Sequence, residues 1–202
     1  EMASLADFLY DRNIASFSVR LSGHGTKPED LAKKTWGDWY RSSLEGLDFV
    51  KSWNMEHTFI SGLSMGAVLC LNLSVSEPDI AGQVLFSPAV KIGGMAAKFV
   101  PILKKIIRYR EVDLSYIPEM YDLPRTKYSR EPLSAIHELL KLADHTRGIL
   151  RQVHIPTLVV QAGADKTIDP SSGEYVFDEI SSRDRQLEVI QDAEHVITCH
   201  PT

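Results

Sequence analysis

Met2, Leu5, Phe8 and Leu9 recur at three- and four-residue steps and predict an amphipathic helix over residues 2–12. Ile14-Ala15-Ser16-Phe17-Ser18-Val19 then alternates apolar with small polar residues, the period of a strand. Leu21-Ser22-Gly23-His24-Gly25-Thr26 is a glycine-punctuated loop. Thr35 followed three residues later by Asp38 marks a helix start, and Trp36, Trp39, Tyr40, Ser43, Leu44, Leu47 and Val50 form its apolar stripe. Such an aromatic stripe reads as packing against a sheet. His57-Thr58-Phe59-Ile60-Ser61 has strand character, and Ala67-Val68-Leu69-Cys70-Leu71 begins a helix that stops near Pro78. Gln83-Val84-Leu85-Phe86-Ser87 is the next strand, closed by Pro88.

From Val90 to Gln152 the rhythm breaks. Gly93-Gly94, Pro101, Pro118, Pro124 and Pro132 interrupt short helical pieces, with no convincing strand between them. Inserted between the strands of a regular sheet, residues 90–152 read as a helical cap, with core segments at 1–89 and 153–202. The first cap piece mixes Phe99, Ile102, Ile106 and Ile107 with Lys98, Lys104, Lys105 and Arg108. It reads as an amphipathic helix with a solvated basic face rather than a lid touching an anionic membrane, because Pro101 breaks it and the cationic run is short. Order returns with the apolar strand Thr157–Ala162, the turn Gly163-Ala164-Asp165, and a helix to Ile180 that Asp169 caps with Pro170 at its first position. Leu187-Glu188-Val189-Ile190 is the last strand, and Gln191–His195 the loop leaving it. Helix and strand alternate as in a mostly parallel sheet flanked by helices, an α/β architecture.

With 202 residues, 44% of them hydrophobic, the chain has the apolar content for one domain with a sizeable core. A net charge of −5 argues against nucleic acid as a partner. No apolar run approaches a transmembrane span. Cys70 and Cys199 lack metal or redox spacing, and neither a metal nor an organic cofactor is expected. No signal peptide is visible, so a cytoplasmic setting is expected. The chain starts inside a helical pattern and ends after a loop, so both ends read as cut from a longer protein.

The candidate chemistry lies at Gly62-Leu63-Ser64-Met65-Gly66. Glycine-x-serine-x-glycine between a strand and a helix is the nucleophile-elbow pattern, in which a strained turn lifts the serine hydroxyl clear of the sheet. The string alone is common; the strand before it and the helix after it give it weight. Side chains at Gly62 and Gly66 are expected to clash with neighbouring backbone. The Met65 N–H opens the helix and points where charge would build on an attacked carbonyl. Ser64, Asp165 and His195 each follow a strand, in the order nucleophile, acid, histidine. The hydroxyl needs an imidazole to take its proton, and the imidazole needs a carboxylate to fix its tautomer. Of seven histidines, His195 has the right place; His200 is the weaker candidate, and His24 reads as a loop residue.

Gly23-His24-Gly25-Thr26-Lys27-Pro28-Glu29-Asp30-Leu31, the elbow, and Val159–Asp165 through Asp169-Pro170 together resemble the bacterial short-chain carboxylesterase and monoacylglycerol lipase group of α/β-hydrolases. His195-Val196-Ile197-Thr198 extends the resemblance, which covers most of the chain outside the cap. It implies an α/β-hydrolase fold truncated at both ends, with Ser64 as nucleophile, Asp165 as acid, His195 as base and Met65 as one oxyanion donor. Ala67 stands where the group commonly has a second glycine. The group's first strands, with the second oxyanion donor, would precede residue 1, and its final helix would follow His195. The 202 residues alone are therefore expected to be poorly folded or nearly inactive. The implied activity is hydrolysis of a small ester, either short-chain or a monoacylglycerol. A prolyl-aminopeptidase-type peptidase or a thioesterase on the same fold is the alternative, with Glu111, Asp113, Glu119 and Asp122 as acidic cap residues that an amino-terminal selectivity site would need. A non-catalytic binder on this fold is a remoter one.

Overall fold

Four parallel strands, hydrogen-bonded side by side in one sheet, carry the molecule. The computed structural model describes residues 2–93, 95–113 and 127–199. The strands are β1 (Phe59–Leu63), β2 (Gly82–Phe86), β5 (Thr157–Ala162) and β6 (Arg185–Ile190). The register pairs Leu63 with Phe86, Phe86 with Val160, and Ala162 with Ile190, so all four carboxyl ends reach one edge. A parallel sheet needs a crossover after each strand, and helices supply them. These include α4 (Met65–Ser76) between β1 and β2, and α7 (Ser172–Glu179) between β5 and β6.

Helix α4 is apolar all round, and Ala67, Val68, Leu69, Leu71 and Leu73 are buried. Such a helix has no solvent face to offer and must be enclosed. It packs on β1 and β2, on α3 (Trp36–Lys51) and on α6 (Leu133–Ile149). Burying a side chain such as Leu71 is worth about 1.5–3 kcal/mol. The one amide in this helix is satisfied: the Asn72 Nδ2 donates to Val68 O and to Thr146 Oγ1, both at 2.7 Å, tying α4 to α6. Cys70 is buried here, and burial pushes its thiol up to about 12, which leaves it an inert core residue. Helix α3 opens with the capping box read from its sequence: the Thr35 N–H donates to Asp38 Oδ2 at 2.9 Å, and Asp38 N–H donates to Thr35 Oγ1. Trp39 is enclosed, and its Nε1 donates to Ser22 O.

Four local expectations are corrected. Ile14–Val19 pairs with no strand among the described residues; β1, the sheet edge, is hydrogen-bonded only to β2, so the alternation finds no ladder. Its side chains turn to α3 instead, with the rings of Phe17 and Phe49 4.8 Å apart. Secondly, α5 (Met95–Leu103) runs through Pro101 rather than breaking there, and ends two residues later. Thirdly, the 90–152 stretch holds a two-stranded antiparallel ribbon, β3 (Tyr109–Glu111) with β4 (Arg130–Pro132), and a 17-residue helix, α6. Three-residue strands are too short to show a period, and from Leu133 to Arg147 neither proline nor glycine interrupts the helix. Leu142 and Leu150 join the same buried cluster as α4. Finally, α7 begins at Ser172 with Ser171 before it, two residues later than the Asp169-Pro170 pattern predicts. Asp169 Oδ1 instead accepts from Ser171 N–H and Oγ, closing the turn that leads into the helix.

Candidate active site

The turn between β1 and α4 is as tight as its sequence demands. Ser64 has φ 56° and ψ −114°, left-handed backbone that costs a non-glycine residue of order 1–3 kcal/mol. Two hydrogen bonds fix it: Ser64 N–H donates to Phe86 O at 2.8 Å, and Ala89 N–H donates to Ser64 O at 3.3 Å. The residue therefore sits at the carboxyl end of β1, locked to the chain leaving β2, and is partly exposed. A Cβ at Gly62 would lie 2.2 Å from the carbonyl carbon of Gly66 and 2.6 Å from Ala67 N, both backbone. A Cβ at Gly66 would meet nothing within 4 Å, which corrects the symmetrical expectation for the two glycines. The close approach involves one glycine's missing side chain and the other's backbone. Met65 is the first residue of α4, where a helix N–H has no partner inside the helix.

Asp165 and His195 come together two strands away. The His195 Nδ1 lies 2.6 Å from Asp165 Oδ2; the carboxylate is fully enclosed and the imidazole 13% exposed. Asp165 Oδ1 accepts from the N–H groups of Thr167 at 2.8 Å and Ile168 at 3.0 Å. Burial alone would push the carboxyl pKa up. The hydrogen bond from His195 and the two backbone N–H groups outweigh it and hold Asp165 below its ordinary 3.8. The group is thus an anion aimed at one imidazole nitrogen, which leaves the opposite nitrogen for other work.

The two loops meet because of a glycine whose part the sequence reading did not assign. A Cβ at Gly163 would come 2.6 Å from Gln191 O and 2.8 Å from Gln191 Cα. Gly163 N–H donates to Ile190 O, and Ala164 N–H donates to Ala193 O, bolting the loop after β5 to the loop after β6. Ser87 is a second omission. It is fully buried at the end of β2 with φ 39°; its N–H donates to Val160 O and its Oγ accepts from Ala162 N–H at 3.3 Å. It stands between the strand of Ser64 and the strand of Asp165. A serine between a strand and a proline was its only mark in the sequence.

His24 lies in the loop after residue 21 with its ring edge-on to Trp39, 5.8 Å between centroids. That loop is pinned by Tyr128, two residues before β4, whose Oη donates to Gly23 O and accepts from Thr26 N–H. His57 and His154 are exposed, His145 stacks on Trp36, and His137 contacts Lys104. His200, Glu119 and Asp122 lie outside the described residues, and Glu111 is exposed on β3. No group of three or more His, Cys, Asp or Glu that could hold a metal ion occurs among the described residues. None of their helices is long and apolar enough to cross a membrane.

A family profile described as "Serine aminopeptidase, S33" matches residues 1–201. The chain belongs to this S33 family. Among the relatives of this S33 member, a carboxylesterase of Bacillus subtilis (strain 168) is 26% identical over 198 residues, 98% of this chain and 80% of that protein. A thermostable monoacylglycerol lipase of Bacillus sp. (strain H-257) is 31% identical over 179 residues, 89% of this chain and 70% of that one. Among solved structures, a chain from the metagenome-derived lipolytic enzymes LipS and LipT superposes with a TM-score of 0.89 at 23% identity, covering 98% of this chain and 81% of its own. The fold of this S33 member is accordingly the α/β-hydrolase fold, a mostly parallel sheet flanked by helices.

Proposed function

We propose that this protein is a serine hydrolase of carboxylic esters, short-chain esters or monoacylglycerols, working through an acyl-Ser64 intermediate. The observation that carries the reading is a strained serine at the end of β1 on the same sheet edge as an enclosed carboxylate bonded to an imidazole. Ser64 Oγ attacks the ester carbonyl while His195 Nε2 takes its proton. Asp165 keeps the His195 Nδ1 protonated and stabilises the imidazolium. The Met65 N–H donates to the developing oxyanion, and a second donor completes that site. His195 then protonates the leaving alcohol, and in the second half it activates water to release the acid.

Ester rather than peptide is favoured by the two Bacillus relatives, one named a carboxylesterase and the other a monoacylglycerol lipase. Comparing p-nitrophenyl butyrate with an amino-acyl p-nitroanilide on the protein tests this. Turnover of the ester with little or none of the anilide is expected. Anilide hydrolysis equal to or faster than ester hydrolysis would turn the reading to a peptidase.

A further inference from the structure

Away from the sheet edge, α2 (Pro28–Leu31), α5 and α6 border a pocket of about 390 Å³. Lys33, Lys104, Lys105 and Arg108 line it, with Ser134 and Ile106. With Ala32 the lining is seven residues, of which four are cations and none is acidic, in a chain whose net charge is −5. Three carboxylates of neighbouring elements are held by other partners: Glu131 by Arg110 and Lys127, Glu138 by Lys141, and Glu29 by Arg130; Asp30 on α2 and Glu111 on β3 are the acidic groups that remain nearby in sequence. His137 adds no charge that would alter this. Burial and the adjacent Lys104 hold its pKa below the usual imidazole value, and its Nδ1 stands 2.6 Å from Lys104 Nζ. Clustered cations in a concavity raise the local positive potential and favour an anion there.

The surface beside the pocket says which anion. Ile106, itself in the lining, is 82% exposed, and Phe99 and Ile102 on α5 are 56% and 61% exposed. Ile107 is also exposed. Positions 99, 102 and 106 follow one helical stripe, which the turn after Leu103 continues. A free phosphate in water has no use for that stripe. A membrane surface uses both parts: headgroups for the cations and acyl chains for the large apolar side chains. Of the two sequence features that spoke against such a lid, α5 passes through Pro101, and the short cationic run of Lys104, Lys105 and Arg108 is joined in space by Lys33.

We propose that this corner is a docking site for an anionic phospholipid. The headgroup phosphate seats among Lys33, Lys104, Lys105 and Arg108, while Phe99, Ile102 and Ile106 enter the acyl boundary. The inference stands apart from the hydrolytic reading, because none of these residues belongs to the candidate active site.

Sedimentation with vesicles of phosphatidylcholine, with and without phosphatidylglycerol, tests it. Binding is expected to the anionic vesicles only, and to weaken as salt rises. Each basic side chain near an anionic surface is worth roughly five-fold in partitioning, so K105Q/R108Q should bind about thirty-fold more weakly. I106D should also lose binding. All three positions are exposed, and unchanged melting temperature and unchanged hydrolysis of p-nitrophenyl butyrate would show the variants to be folded. Three results would each overturn the proposal. They are failure to bind anionic vesicles, equal binding to both vesicle types, and binding that inorganic phosphate abolishes while I106D leaves it intact, which would make the site one for a soluble anion.

Discussion

Asp165→Asn is expected to lower kcat for an ester by about 10⁴-fold, with a far smaller change in KM. The reason lies in how the carboxylate is held. Asp165 Oδ1 accepts from two backbone N–H groups, Thr167 and Ile168, while Oδ2 meets His195 Nδ1. An asparagine keeps its carbonyl oxygen on the two N–H donors, since an amide NH₂ cannot accept from them. Its NH₂ must then face His195 Nδ1. That arrangement selects the tautomer with the proton on Nε2, and such an imidazole cannot take a proton from Ser64. The fold should survive, because the replacement fills the same volume and preserves the buried backbone partners. Stability carries a second, independent signature. Native pairing holds the Asp165 carboxyl below its ordinary 3.8, so the stabilisation is fully present above that value and is lost as pH falls through the lower native one. Denaturation of wild type and variant across pH should therefore show a constant gap from neutrality down to about pH 4, closing only below it. A gap that closes near neutral pH would mean that the carboxylate is not paired in this way.

The second large effect separates the two elbow glycines. Gly62→Ala is expected to cost at least ~3 kcal/mol, because its Cβ would overlap backbone atoms of Gly66 and Ala67 that no rotamer change can move. For a domain of this size that is a fall in melting temperature of roughly 6–12 °C. Activity should fall with it, since the only relief is to open the turn that presents Ser64. Gly66→Ala should change stability by less than ~1 kcal/mol, since its Cβ enters open space and alanine is the better helix former. Thermal melts of the two variants check this, and equal losses would show that the elbow is not built as described.

Much of this was legible in the chain because strand and turn signals agreed with each other. Each of the four sheet strands follows an apolar run bounded by a turn residue, and their observed spans lie within two residues of the expected ones wherever burial is deep. The candidate site was legible for the same reason: Ser64, Asp165 and His195 each stand just beyond a strand, and a parallel sheet gathers all such positions at one edge. What stayed hidden depends on partners rather than on pattern. Ile14–Val19 has the alternation of a strand, but a ladder needs a neighbour that periodicity cannot supply. Gly163 and Gly66 look alike in sequence, yet one faces the backbone of Gln191 and the other faces open space. Asp169-Pro170 fits a helix cap, and the same residues equally fit the turn that precedes it. Pro101 shows the limit of local rules, since burial of Val100 and packing of α5 on α6 carry the helix past a missing donor.

The central claim is that one hydroxyl, activated by one imidazole, does the chemistry. Reaction of the protein with a fluorophosphonate, followed by peptide mass spectrometry, tests it most directly. The account predicts a single adduct on Ser64, absent in Ser64→Ala and formed far more slowly in His195→Ala, with ester hydrolysis lost in step. An adduct on another residue, or ester turnover that survives in Ser64→Ala, would contradict it.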